Sequence, residues 1–250
     1  MGVGAVTVHE EVLAGSGYGQ VPVVRVGDTV RRRTGPHTPA VHALLRHLQA
    51  VGFDGAPRVL GIDEQGREVL TYMPGDEGRD IPHDDRTLAE AARLIRRFHD
   101  AVAGFDPPPD AAWKTSHQPT GLATGALPGS DLVVCHNDLA PYNTIYTPQR
   151  RPCALIDWDL AAPGPATWDL AYAAWRFVPL YTDGDCRLIG LPARPRGPRL
   201  RTFCEAYGLD DRDNFLDLVR QRLLSIDRPF ARHSLDYLAV EWATWRGHLQ

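Results

Sequence analysis

The side chains best suited to chemistry are concentrated in two short clusters. The first is Cys135-His136-Asn137-Asp138-Leu139-Ala140-Pro141-Tyr142-Asn143 and the second is Leu155-Ile156-Asp157-Trp158-Asp159. Each cluster follows an apolar run, Leu132–Cys135 and Cys153–Ile156, that reads as a buried strand. Carboxylates and an amide are thereby placed at strand ends, where a rigid scaffold holds loop residues in position. An Asp, an Asn five residues on and a second Asp fourteen beyond that form a set of hard oxygen ligands suited to Mg²⁺, with one carboxylate left to orient a hydroxyl. The set contains no thiolate and no clustered imidazole, which disfavours zinc. No G-x-S-x-G or Cys/His hydrolase arrangement competes with it.

The elements that must position these groups fall into two stretches. Over the first 75 or so residues, β-branched runs at Val6–Val8, Val21–Val26 and Thr29–Arg32 are separated by Gly and Pro, and Gly27-Asp28 supplies a tight turn for a hairpin. Between Pro39 and Val51, Val41, Leu44, Leu45 and Leu48 recur at helical spacing, and Gly52 closes that helix. Short strands are expected at Arg58–Ile62 and Glu68–Tyr72, completing a small antiparallel sheet that carries one helix. Composition shifts at Gly75–Pro82, a candidate lobe boundary. Beyond it helices dominate. A helix from about Asp85 to Ala103 lines up Leu88, Ala91, Ala92, Ile95, Phe98 and His99, and amphipathic stretches return at Thr167–Phe177, Leu200–Tyr207, Phe215–Leu224 and Leu235–Trp245. Pro192, Pro195 and Pro198 mark an expected mobile surface loop.

Composition bounds the classes available. A formal net charge of −4 argues against a nucleic-acid groove, and no apolar run reaches the 18 or more residues of a membrane span. Four cysteines without CxxC spacing, and a chain that starts without a charged-then-apolar segment, read as a reduced, cytoplasmic protein. Of the 27 Lys plus Arg residues, only Lys114 is lysine.

The order H-x-D-x-x-x-x-N, then I-D-W, then Asp169-Leu170-Ala171 resembles the aminoglycoside phosphotransferase and choline kinase group, small-molecule relatives of the protein kinases. The resemblance implies an α+β, bilobal protein kinase-like fold. Residues 1–75 would form a small antiparallel β N-lobe with one helix, binding nucleotide, and residues 76–250 a larger, mostly helical lobe for catalysis and substrate. It implies transfer of the γ-phosphoryl group of ATP or GTP to a small-molecule hydroxyl, with Mg²⁺. Asp138 would be the catalytic aspartate, and Asn143 and Asp157 the metal ligands. His136 and Asp169 would brace the loop, and Asp159 is a candidate for a second metal. Gly15-Ser16-Gly17-Tyr18-Gly19 fits a phosphate-covering turn, with Gly15, Ser16 and Gly17 foremost. The backbone of Thr71, Tyr72 and Met73 would contact the base.

The third strand departs from the kinase pattern. It carries Val30-Arg31-Arg32-Arg33 and no lysine, and no acidic residue lies between Thr34 and Phe53 to supply the usual helix glutamate, whose place Val41 takes. Strand alternation makes Arg32 the phosphate contact, with Arg31 in reserve, an arginine free of carboxylate partners and able to hold phosphate bidentately. Lys114, in a Pro-flanked loop, is too distant to take the strand position. The acceptor would lie against Leu200–Gln250 and the loop after Asp169. Candidates there are the carboxylates Asp183, Asp185, Glu205, Asp236 and Glu241 for a cationic acceptor, and Trp168, Trp175, Tyr181, Tyr237, Trp242 and Trp245 for stacking, although most of these aromatics fit a core. His83, His117, His233 and His248 read as surface or capping residues. Two classes stay open: a kinase acting on an aminoglycoside-type antibiotic or on choline, a sugar or an amino alcohol, and a nucleotide-binding pseudokinase without turnover.

Overall fold

The computed structural model describes residues 9–13, 22–78, 84–119 and 132–250. The strands β1 (Glu11–Val12), β2 (Val24–Val26), β3 (Thr29–Arg33), β4 (Val59–Ile62) and β5 (Arg67–Thr71) form an antiparallel sheet in the order β1-β2-β3-β5-β4. Gly27 turns the β2–β3 hairpin at φ 58°, a left-handed conformation that costs glycine little. Helix α1 (Thr38–Ala50) starts with a proline in its first turn and buries Val41, Leu44, Leu45 and Leu48. The register pairs Arg32 of β3 directly with Glu68 of β5.

After β5 the chain crosses at Gly75 and enters a second sheet. A side chain at Gly75 would collide with the Tyr146 carbonyl, and its φ of 138° disfavours any other residue, so the crossing runs hard against the next sheet. There β6 (Asp76–Glu77) pairs with β8 (Thr144–Tyr146), which pairs in turn with β9 (Pro152–Leu155). A separate antiparallel ribbon joins β7 (Leu132–Cys135) to β10 (Ala162–Pro165). Helix α2 (Asp85–Val102) lies behind both; the Asp84 side chain accepts the Thr87 N–H at 2.7 Å as its N-cap. Against it pack α3 (Ala166–Phe177) and, after the short α4 (Asp183–Leu188), α5 (Arg196–Tyr207), while α6 (Phe215–Leu224) packs on α3 and α7 (Pro229–Leu249) on α5 and α6.

One apolar core runs from α1 through α2 into α3, α5 and α6, with Phe98 set edge-on against Trp158 at 5.0 Å. The two chemistry-bearing clusters therefore stand on a continuous packed base. Three expectations are corrected. The Pro192–Pro198 loop shortens, because α5 already begins at Arg196 and Pro198 lies in its first turn, where a missing N–H leaves no intrahelical bond unmade. Helix α7 runs from Pro229 to Leu249 rather than over 235–245, since Pro229 is well suited to the first helical position. The short α4, capped by the Thr182 hydroxyl, was not foreseen. The strand expected at Val6–Val8 lies outside the described residues. All four cysteines are free thiols, and among the described residues no helix is long and apolar enough to cross a membrane.

Candidate active site

Strand β7 ends in His136, Asn137 and Asp138, and Asn137 takes a left-handed turn at φ 66°. Asp169, in the first turn of α3, holds that turn from behind. Its carboxylate accepts the backbone N–H groups of His136 at 2.7 Å and Asn137 at 2.8 Å, and the imidazole of His99 lies 3.2 Å away. Asp169 is fully buried. Burial alone would raise its pKa, yet the hydrogen bonds and the neighbouring His99 and His136 outweigh it and hold the carboxyl below its ordinary value. The His136 ring reaches the Ile156 carbonyl at 3.0 Å, tying the first cluster to the second. Both bracing roles expected of His136 and Asp169 are thus visible as contacts.

The Asp138 carboxylate is fixed at both oxygens. Tyr142 and Tyr172 hydroxyls donate to Oδ1 at 2.9 and 2.7 Å, and the Asn143 amide donates to Oδ2 at 2.8 Å. Burial first, and then the Asp138 charge, push the Tyr142 phenol up to about 12 and the Tyr172 phenol well above its ordinary value, so both remain donors at neutral pH. Asn143 lies on a 3-10 turn, Pro141–Asn143, and its amide nitrogen also bonds the Asp138 carbonyl at 3.0 Å. Its carbonyl accepts the Ile156 N–H at 2.9 Å, which sets Asn143 beside Asp157.

The opposite wall is a network of charges. Arg32 makes an ion pair with Glu68 at 3.0 Å, another with Asp157 at 3.1 Å, and a third, close one with Asp159. Burial alone would weaken its charge, but these three carboxylates raise its pKa. Arg31 instead turns to the Thr29 hydroxyl at 2.7 Å and towards Asp63 at 3.7 Å. The expectation of an arginine without carboxylate partners is therefore corrected. The reason is the β3–β5 register: Glu68 stands across the sheet from Arg32, and His42 of α1 bonds the other Glu68 oxygen at 2.9 Å. The familiar strand-to-helix pair has become a three-part chain, Arg32–Glu68–His42, in which the neighbour of Val41 supplies the helix contact.

Lys114 also arrives in the cleft, with Nζ 3.0 Å from Asp159 Oδ2, and His37 Nε2 lies 3.5 Å from Oδ1 of the same residue. Against burial, which would raise it, Arg32, Lys114 and His37 together lower the Asp159 pKa. Asp157 follows β9 in a left-handed conformation at φ 64° and is half exposed to the cleft, with Arg32 as its ion-pair partner. The residues present fit a hard divalent cation in kind: Asn143 spends only its amide N–H groups on Asp138, which leaves its side-chain carbonyl oxygen as a donor, and Asp157, next to the Ile156 that bonds the Asn143 backbone, offers a half-exposed carboxylate. No cluster of three or more His, Cys, Asp or Glu competes as a metal site among the described residues.

Other expected contacts are redistributed. Gly15, Ser16 and Gly17 lie outside the described residues, as does His83. In the crossing segment, the Thr71 N–H bonds Arg58 O at 2.9 Å and the Tyr72 N–H bonds Asp28 O at 2.8 Å, whereas the Met73 N–H bonds no described residue. Trp168, Trp175, Tyr181 and Trp245 are buried core. Asp183 pairs with Arg196 at 2.5 Å, and Glu205 lies 3.5 Å from Arg212, so these two carboxylates are not free for a cationic acceptor. His117, expected at the surface, instead faces Arg222 at 3.4 Å. Burial, then the Arg222 charge, lowers its pKa.

Arg222, not singled out in the sequence, packs against the turn that carries Asp138. It is 1% exposed, donates to the Asn137 carbonyl at 2.9 Å and stacks near Tyr172 at 4.8 Å, so it presses the catalytic turn from the α6 side. Its signal was a charge on the apolar stripe of Phe215, Val219 and Leu223. Tyr172 could have been found by its place one helical turn after Asp169. Lys114 gave no such signal.

A carboxylate fixed for a hydroxyl, oxygen ligands beside it and a cationic wall under an antiparallel sheet define a kinase-like phosphotransferase. A sequence profile of the phosphotransferase enzyme family matches residues 111–214. The trifolitoxin immunity protein of Rhizobium leguminosarum bv. trifolii is 35% identical over 207 residues, covering 81% of this chain and 77% of that protein. The chain belongs to this phosphotransferase family, a family of small-molecule kinases that use a nucleotide phosphate donor and a divalent metal. Solved structures share the fold. An amicoumacin kinase in complex with AMP-PNP, Ca²⁺ and Ami aligns with a TM-score of 0.61 at 12% identity, covering 96% of this chain and 86% of the other. Streptomyces rimosus aminoglycoside phosphotransferase APH(3'')-Id with ADP and streptomycin aligns with a TM-score of 0.55 at 17% identity, covering 92% of each chain.

Proposed function

We propose that this phosphotransferase takes its phosphoryl group from ATP or GTP with Mg²⁺, residues 1–75 forming the nucleotide lobe and residues 76–250 the catalytic and acceptor lobe. Asp138 accepts the proton of the acceptor hydroxyl as its oxygen bonds to the γ-phosphorus. The bond from that phosphorus to the bridging oxygen breaks, and nucleoside diphosphate leaves. The observation that carries this reading is the Asp138 carboxylate, oriented at Oδ1 by two tyrosine hydroxyls and at Oδ2 by Asn143. A bound Mg²⁺ would supply charge neutralisation at the phosphate oxygens, and Asn143 and Asp157 would hold it.

Arg32 changes partner in this account. Its guanidinium leaves Asp157 and Asp159 for the donor phosphates, retaining Glu68, and Lys114 adds a second cation at the same wall. The Met73 backbone contacts the base, and Gly15, Ser16 and Gly17 cover the phosphates. The antibiotic-linked names among its relatives support an antibiotic-type acceptor ahead of choline, a sugar or an amino alcohol. One observation favours the alternative of a nucleotide binder without turnover: Arg32 occupies the Asp157 carboxylate. Following nucleoside diphosphate release with and without Mg²⁺, across aminoglycosides, macrolides, choline and sugars, separates the two. Turnover that needs Mg²⁺ and falls by about 10²–10⁴ in Asp138→Ala supports the kinase. Binding without release in any mixture identifies the pseudokinase.

A further inference from the structure

Beside the tyrosines that hold Asp138 stands an arginine with no anion. Arg176 follows Tyr172 by one turn of α3, so the two share a helix face. Its guanidinium carbon lies 5.2 Å from the Tyr142 ring, 4.9 Å from Trp175, 5.6 Å from Tyr181 and 5.9 Å from Phe230. These rings wall it laterally, and the side chain is partly buried. Among the described residues it makes no hydrogen bond and no ion pair, and its Nε is buried without a partner. Elsewhere in the described chain, Arg32, Arg67, Arg96, Arg151, Arg196 and Arg199 each meet a carboxylate. A half-buried guanidinium in an aromatic frame without its anion is costly unless a ligand completes it. Burial works against its charge, while Tyr181, Tyr142, Tyr172 and, last, Asp138 raise its pKa.

Resting on the phosphotransferase reading, we propose that Arg176 is the anchor for an anionic group on the acceptor, so that the preferred acceptor carries a carboxylate or phosphate besides the hydroxyl presented to Asp138. The planar fork of Arg176 matches a carboxylate bidentately. Arg222, buried behind Tyr172 and also without a carboxylate partner among the described residues, adds to the positive field on this side of Asp138. A polycation would meet Arg176 beside a single aspartate, within the field of the buried Arg222.

The test uses the full chain with Mg²⁺ and ATP or GTP, and matched acceptors: glycerate, 3-hydroxybutyrate and 4-hydroxyphenylacetate, their primary amides, and choline and kanamycin as cations. Release of nucleoside diphosphate without added acceptor, with water as acceptor, is measured first in the wild type and in Asp138→Ala, and it tests the phosphotransferase reading by itself. Wild-type kcat/KM for at least one acid exceeds that for its amide by about 10- to 100-fold, as expected for a charged hydrogen-bonded contact. In Arg176→Gln this preference collapses towards unity through KM, and Arg176→Lys restores part of it. A merely structural arginine would lower kcat/KM for acid and amide alike. The proposal is overturned if amides match acids in the wild type, if only the cations are phosphorylated, if no acid stimulates release above the water background, or if Arg176→Gln keeps the preference.

Discussion

The two walls of the cleft are built on opposite principles. Behind Asp138, the groups are buried and fixed: Asp169 accepts two backbone N–H groups, Arg222 bonds a backbone carbonyl, and the tyrosines and Asn143 orient the Asp138 carboxylate while leaving acceptor capacity on Oδ2. Across from it, Arg32, Lys114, Asp157 and Asp159 are side chains paired with side chains, several of them open to solvent. Hydrogen bonds to backbone fix a geometry, whereas ion pairs between exposed side chains are weak and exchange partners readily. The difference teaches where each demand lies. The wall that must orient an acceptor is preorganised, and the wall that must receive a highly charged donor is already balanced with internal counter-ions.

That contrast predicts unequal responses to substitution. Asp169→Ala should be the most damaging change to the fold, because it leaves two N–H groups and His99 unmatched in the interior. A loss of about 3–5 kcal/mol in urea unfolding is expected, with phosphoryl transfer falling alongside. A change under about 1 kcal/mol would place the catalytic turn's rigidity elsewhere. Arg32→Ala should weaken nucleotide affinity by about 10- to 100-fold, measured by titrating a fluorescent nucleotide, and should lower the unfolding midpoint less than Asp169→Ala does, because the buried Glu68 carboxylate it leaves behind still has His42. Arg32→Lys should retain more affinity than Ala, since a point charge still meets phosphate. If instead Arg32→Ala unfolds the chain, the donor wall is structural and the contrast breaks.

Smaller effects sharpen the same comparison. Asp169 and Asp159 have folded pKa values below the ordinary carboxylate value, so the unfolded chain binds their protons more readily. Their contribution to stability is complete above about pH 4–5 and is lost as pH falls through the depressed folded values. Urea midpoints should be flat from pH 6 to about 5 and drop below about 4, with a shallower drop in Asp169→Asn. At the alkaline end, Tyr142 titrates near 12, so transfer rates should show no tyrosine limb up to about pH 10.

Much of this was legible in the residues. The helix over 39–51 and the strands before His136 and Asp157 follow from periodicity and turn chemistry that agree with tertiary packing, so local and global preferences coincide there. That Asn143 and Asp157 come together was legible because the β8–β9 pairing places them at one end of a hairpin, with Asp138 on the turn just before it. The partners of Arg32 were not, because Glu68 meets it through a sheet register and Asp159 through a link 127 residues away along the chain. Lys114 was misjudged for the same reason: its loop position says nothing of where the loop folds back. The start of the last helix was not legible from the apolar spacing over 235–245, because it is set by Pro229 at the first helical position.

The central claim is that Asp138 takes the proton of the acceptor hydroxyl and that its wall is preset for this task. Asp138→Asn tests it most directly, with nucleotide affinity by fluorescence titration and single-turnover phosphoryl transfer measured on the same preparation. The account predicts affinity within about twofold of wild type and transfer lower by about 10²-fold or more. Transfer at the wild-type rate with unchanged affinity would contradict it.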